Sequence, residues 1–89
     1  MTLQYIESTF SGTGTDGQTI SLANNFSVSV IVESGTLKLE RSFDNGLSWR
    51  EVDSYTSSTE DWGYDPEGAL YRWRCSAFTT GPISGRLGQ

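Results

Sequence analysis

Phe26-Ser27-Val28-Ser29-Val30-Ile31-Val32 decides the fold class. Phe26, Val28, Val30 and Val32 fall on one face of an extended chain and Ser27 and Ser29 on the other, a period of two that belongs to a strand and not to a helix. Ile31 interrupts the alternation and is placed to meet a neighbour. Downstream, residues 36–43 repeat the pattern, with Leu37, Leu39 and Phe43 on one face, joined there by Arg41, and Lys38, Glu40 and Ser42 on the other. Glu33-Ser34-Gly35 between the two stretches has the length and the glycine of a tight hairpin.

Working outward, Asp44-Asn45-Gly46 predicts a turn into a strand over residues 48–53. A short strand is expected near 57–60, then a polar aromatic loop, Asp61-Trp62-Gly63-Tyr64-Asp65-Pro66-Glu67-Gly68. The next strand is the most regular: Tyr71, Trp73, Cys75 and Ala77 alternate with Arg72, Arg74 and Ser76. Thr79-Thr80-Gly81-Pro82 predicts a turn into a last strand over 83–87. Near the front, residues 11–17 read as a flexible Gly- and Thr-rich loop and 18–22 as a strand ending at an Ala23-Asn24-Asn25 turn. Residues 1–10 read either as an edge strand or as an arm reaching a partner. The expected fold is all-β, a small antiparallel β-sandwich or barrel of about six to seven short strands, with residues 1–89 forming one domain.

Composition narrows the function. At 89 residues and 35% hydrophobic content the chain supports one core and is not disordered as a whole. Eleven acidic against six basic residues give a net charge of −5, which opposes a polyphosphate partner, so nucleic acid is not expected. There is no His, which removes the commonest neutral-pH general base and the commonest metal ligand. A single Cys forms no internal disulfide and no thiolate metal site. No apolar run approaches a membrane span and the first residues lack the basic start of a signal peptide, so a soluble, unexported chain is expected, without cofactor or metal.

Ser42-Phe43-Asp44-Asn45-Gly46-Leu47-Ser48-Trp49 matches S-x-D-x-G-x-[ST]-W at every specified position and resembles the Asp-box hairpins of sialidases and related propellers. Its physics is local. The Asp44 carboxylate accepts N–H bonds inside the turn, Gly46 takes a left-handed conformation and Trp49 packs back over the hairpin. In propellers such hairpins recur from blade to blade away from the catalytic residues, so one copy, Ser42, Asp44, Gly46 and Trp49, is expected to be a folding device.

Asp65-Pro66-Glu67-Gly68 leading into Tyr71 resembles the entry to the F strand of immunoglobulin-like and fibronectin type III-like domains, where the Tyr bonds back to the corner before it. Cys75 lies four residues beyond Tyr71 instead of two, so the spacing is not that of a true immunoglobulin domain; sharing the Tyr71 face, Cys75 is expected to be a buried thiol. Arg72 and Arg74 on the opposite face either pair with Glu40 or Glu51 on neighbouring strands or contact another subunit. Trp62 and Tyr64 suit stacking on a sugar, anchoring a protein contact, or plugging one end of the core. Asp61, Asp65 and Glu67 contain the carboxylates a glycosidase needs, but acids clustered on a loop are ordinarily just solvated, and no enzyme is expected.

Taken together, Leu39-Glu40-Arg41-Ser42-Phe43-Asp44-Asn45-Gly46 with Trp49, then Glu67-Gly68 with Tyr71-Arg72-Trp73-Arg74-Cys75, and the final Ser84-Gly85-Arg86-Leu87-Gly88-Gln89, resemble small virion proteins of tailed bacteriophages over the last two thirds of the chain. The resemblance implies a non-enzymatic β-sandwich in many copies, a capsid decoration or cement protein or a head–tail accessory, located in the virion. Its partners would be other virion proteins or copies of itself, with neither nucleic acid nor membrane involved. Candidate partner-binding residues are then Tyr5, Ile6 and Phe10 on the arm, Trp62 and Tyr64, and Arg72 and Arg74. The alternative is a carbohydrate-binding module that stacks a glycan on Trp62, Tyr64 and Trp49.

Overall fold

The computed structural model describes residues 4–89; residues 1–3 of the expected arm lie outside them. The described chain is all-β, one antiparallel sheet of four strands: β1 (Tyr5–Phe10), β2 (Ile20–Ser42), β3 (Arg50–Tyr55) and β4 (Thr59–Gly88), in the order β1-β4-β2-β3. Where six to seven short strands were expected, two very long ones, of 23 and 30 residues, carry most of the fold.

The long strands arise because bends in the chain do not interrupt pairing. Residues 24–30 pair with 59–65, residues 27–32 pair on their other side with 83–88, and residues 36–42 pair with 70–77. The expected Glu33-Ser34-Gly35 hairpin is therefore a bend inside β2. It lies beside the Thr79–Pro82 bend of β4, with Ser34 opposite Thr80 and Gly35 opposite Phe78, so both strands turn together. Gly35 has φ 149°, and a Cβ there would sit 2.8 Å from Ile83 Cδ1 and closer still to the Ala77 carbonyl. Only glycine fits. Across this bulge the inward residues change parity, from Phe26, Val28, Val30 and Val32 to Leu37 and Leu39.

Two further expectations are corrected in the same way. The Ala23-Asn24-Asn25 turn is an irregularity within β2, where the register shifts between Leu22 and Asn24 and Asn24 takes φ 61°. Asp61–Gly68 is not a loop but strand, because it keeps a period of two: Glu60, Trp62 and Tyr64 point out, while Asp61, Gly63 and Asp65 point in or are half-buried. Gly63 is required there, since the Phe26 ring occupies the space of a Cβ.

The core unites Phe10 of β1, Ile20, Leu22, Phe26, Val28, Val30, Val32, Leu37 and Leu39 of β2, Tyr55 of β3, and Tyr71, Trp73, Cys75, Ile83 and Leu87 of β4. Each long strand bends back so that its parts meet across this core. The Trp73 indole lies against Gly85 of the same strand, in the space a side chain at 85 would fill, and its edge meets the Tyr55 ring at 5.9 Å between centroids. Phe43, expected on the Leu37 and Leu39 face, is instead exposed, because β2 ends at Ser42 and the reversal carries residue 43 off the sheet. There its ring lies 4.5 Å beneath the Arg41 guanidinium.

Candidate functional site

The Ser42–Trp49 reversal connects β2 to β3. Ser42 Oγ donates to Asp44 Oδ1 at 2.7 Å and accepts the Gly46 N–H at 2.9 Å. The Ser48 N–H and hydroxyl donate to the two Asp44 oxygens, the former at 2.9 Å. Asn45 and Gly46 take φ 61° and 92°. Hydrogen bonds from Ser48 and Ser42 hold the Asp44 carboxyl down at about 2. All four motif residues are thus brought together, and each bonds or packs within the turn.

A second corner forms where β4 passes Asp65. This carboxylate is buried and accepts the Tyr71 hydroxyl at 2.8 Å, the Gly68 N–H at 3.0 Å and the Glu67 N–H at 3.2 Å, with Arg41 Nη1 3.8 Å away. Burial works to raise the Asp65 carboxyl, but the bonds from Tyr71 and the two N–H groups, with Arg41, outweigh it and hold the group below the ordinary carboxylate value. The same burial and the same bond push the Tyr71 hydroxyl up. Asp65 therefore belongs to the fold, not to a solvated acidic cluster. Cys75 is buried beside Trp73, and that burial raises its thiol.

Arg72 and Arg74 converge on one partner. Arg72 Nε lies 2.9 Å from Glu40 Oε1 and Arg74 Nη1 3.4 Å from Glu40 Oε2, and the Arg72 guanidinium stacks 4.2 Å from the Trp49 ring centroid. Glu51, the other expected partner, pairs instead with Lys38 at 2.6 Å. Because opposed residues of antiparallel strands share a face, the register of Glu40 opposite Arg72 builds this ladder directly. Arg72 is consequently occupied, and Trp49 lies beneath it rather than open to a ligand.

On β1, Phe10 is buried and Ile6 packs against the core, so neither offers a docking surface. The cause is pairing: Tyr5 through Phe10 lie opposite Gly88 through Ile83, which turns the even positions inward. Only Tyr5 of the three stays open, at 52% exposure, its ring stacked under Arg86 at 4.3 Å.

The exposed aromatic residues gather elsewhere. Trp62 and Tyr64, 76% and 62% exposed, flank a cleft of about 170 Å³ between β3 and the first residues of β4, floored by Phe26, Val28, Leu39 and Tyr71. Val52 joins them from β3. It is the residue left over where the register slips between Asp53 opposite Leu39 and Glu51 opposite Glu40, which points it outward. The Tyr55 hydroxyl sits between Asp53 Oδ2 of β3 and Asp61 Oδ2 of β4, 3.1 Å from each, and ties the two strands across the cleft. Burial and these acids push its ionisation well above the ordinary tyrosine range. Sequence reasoning missed Val52, Tyr55 and Arg41 as members of this cleft. A bulge and a pairing between distant strands leave no local signal.

Among the described residues no three or more metal-ligating side chains come together. The site that geometry favours is thus the aromatic cleft, with Arg41 and Asp53 as its polar groups. Neither a protein-family model, nor a curated protein, nor a solved structure matches this chain.

Proposed function

We propose that this protein is a non-enzymatic structural component of a tailed-phage particle, a capsid decoration or cement protein or a head–tail accessory, that docks on a repeating protein lattice. The observation that carries this reading is the exposed group Val52, Trp62 and Tyr64 around a cleft between two strand edges. Aromatic side chains beside a partly apolar cleft are the usual anchors of protein contacts. Among the described residues β3 pairs on one side only, with β2, which leaves an edge for strand addition by a partner. Small patches of this kind suffice when many copies engage a symmetric shell together. We read the fold more finely as a small sandwich of immunoglobulin or fibronectin type III kind, with the Tyr71–Asp65 hydrogen bond as its tyrosine corner.

The test is co-sedimentation with purified phage particles. Wild-type protein is expected in the particle fraction, and Trp62→Ala with Tyr64→Ala is expected to leave it there no longer while melting at the wild-type temperature. Retention of the double variant would move the docking surface away from the cleft. A wild-type protein that never sediments with particles and never self-associates would end the virion reading. A carbohydrate-binding module remains the alternative because Trp62 and Tyr64 are both open on one strand face; its third platform residue, Trp49, is covered by Arg72.

A further inference from the structure

The outer face of the sheet carries two cross-strand rows that belong to neither turn and share only Trp62 with the cleft. In the first, Tyr5 lies opposite Gly88, Gly88 opposite Ser27, and Ser27 opposite Trp62. In the second, Glu7 lies opposite Arg86, Arg86 opposite Ser29, and Ser29 opposite Glu60. Directly opposed residues project from the same face, so each row is a line of side chains across four strand segments. The first row is large at both ends and nearly bare in the middle. Residue 88 stays bare because a Cβ there would lie 2.9 Å from Tyr5 Cβ and 3.1 Å from the Gln4 carbonyl oxygen. The result is an open trough of about 470 Å³, within the ~300–1,000 Å³ of small-ligand sites.

The second row supplies its chemistry. Arg86, stacked on Tyr5, has no carboxylate within ion-pair distance among the described residues, so its N–H donors remain for a ligand. Opposite it, Glu60 accepts the Ser29 hydroxyl through Oε2 and keeps Oε1 as a further acceptor. Ser27 adds an exposed hydroxyl that both donates and accepts. A ligand spanning this trough must offer donors to a carboxylate and acceptors to a guanidinium, over a floor small enough for a ring to lie flat. Vicinal hydroxyls do both. Glu60 and Asp61 outnumber Arg86 in the trough lining, which disfavours an anionic ligand.

We infer that this trough binds a short, uncharged oligosaccharide, held by Arg86, Ser27 and Glu60. The trough borders the docking cleft at Val28 and Trp62, but Arg86, Ser27 and Glu60 lie outside that cleft, and binding there does not depend on the virion reading.

The test uses the full chain, titrated with cellotriose, maltotriose, N,N′,N″-triacetylchitotriose, lactose and 3′-sialyllactose, followed by amide chemical shifts and by the fluorescence of exposed Trp62. At least one neutral sugar is expected to bind, with shifts centred on residues 27, 29, 60, 86 and 88. Arg86→Ala, and Ser27→Leu, which fills the floor, are each expected to weaken that sugar about tenfold at an unchanged melting temperature. Sialyllactose is expected to bind no tighter than lactose. Absence of any neutral binding up to ~10 mM, shifts centred on Tyr64 and Val52 instead, full binding by both variants, or a preference for the sialylated sugar would each overturn the inference.

Discussion

Asp44 and Asp65 each stand at a reversal of the chain and each collect hydrogen bonds on a carboxylate, yet they do so in different surroundings. Every partner of Asp44 lies within four residues of it, and the side chain itself is exposed. Asp65 is buried, and its partners include Tyr71 of the core and Arg41 of another strand. When an exposed turn loses its acceptor, water replaces the bond; when a buried corner loses it, the donors are left with nothing, and the desolvation penalty stays. Similar local chemistry therefore carries different weight in the fold, because burial and not bond count sets the cost.

The sharpest way to break this comparison is Asp65→Ala. It strands the Tyr71 hydroxyl and the Glu67 and Gly68 N–H groups, and is expected to cost about 3 kcal/mol in urea unfolding. If Asp44→Ala lowers the midpoint as much as Asp65→Ala does, burial is not what separates the two turns. Gly46→Val comes next, at about 2 kcal/mol by calorimetry, since a β-branched residue is forced to φ 92°. That strain is confined to the hairpin, so particle or ligand binding should fall only as far as folding does.

Tyr71→Phe removes one bond from the buried corner and keeps its shape, with an expected cost of about 1 kcal/mol. The same variant should let the Asp65 carboxyl rise towards its ordinary value, which carboxyl-detected nuclear magnetic resonance follows directly; an unmoved Asp65 would assign its depression to Arg41 and the backbone N–H groups alone. The smallest effect concerns acid. Both carboxyls titrate lower in the folded state than in the unfolded chain, so each contributes stability above the unfolded value of 3.8, and that contribution is lost as pH falls through the folded value, about 2 for Asp44. Asp44→Asn should thus flatten the pH dependence of the melting temperature between 3.8 and 2, and a slope identical to wild type would remove Asp44 from the acid response.

Much of this was legible in the residues. The Ser42–Trp49 reversal carries its own donors, acceptors and glycine at fixed spacing, so its geometry follows without knowledge of the rest of the chain. Alternation also put Cys75 on the buried face and Arg72 on the opposite one, but it left the partner of Arg72 open between Glu40 and Glu51, and register chose Glu40. Phe10 and Phe43 were not legible. Each is an aromatic residue at the end of a strand, and whether it turns inward depends on where pairing stops: Phe10 is held opposite Ile83, whereas Phe43 lies past the last pair of β2. Glycine and proline near 35, 63–68 and 81 were read as breaks because they end strands locally. Here they let two strands bend together while the ladder continues, a choice made by the partner strand.

The sequence by itself determined that this chain is all-β, most of the residues that alternate into its core, and how the Asp44 turn is built, because these depend on side-chain period and on bonds spanning a few residues. Only the tertiary structure decided that residues 20–42 and 59–88 run as continuous strands, that Val52, Trp62 and Tyr64 share a cleft, and that Tyr5, Gly88, Ser27 and Trp62 form one row. Such placements depend on register between segments tens of residues apart, where a one-residue slip turns a side chain from one face to the other. The close approach of Trp73 to Gly85 and of Phe26 to Gly63 is compatible with this register, and these are contacts between distant positions that nothing in the local pattern announces.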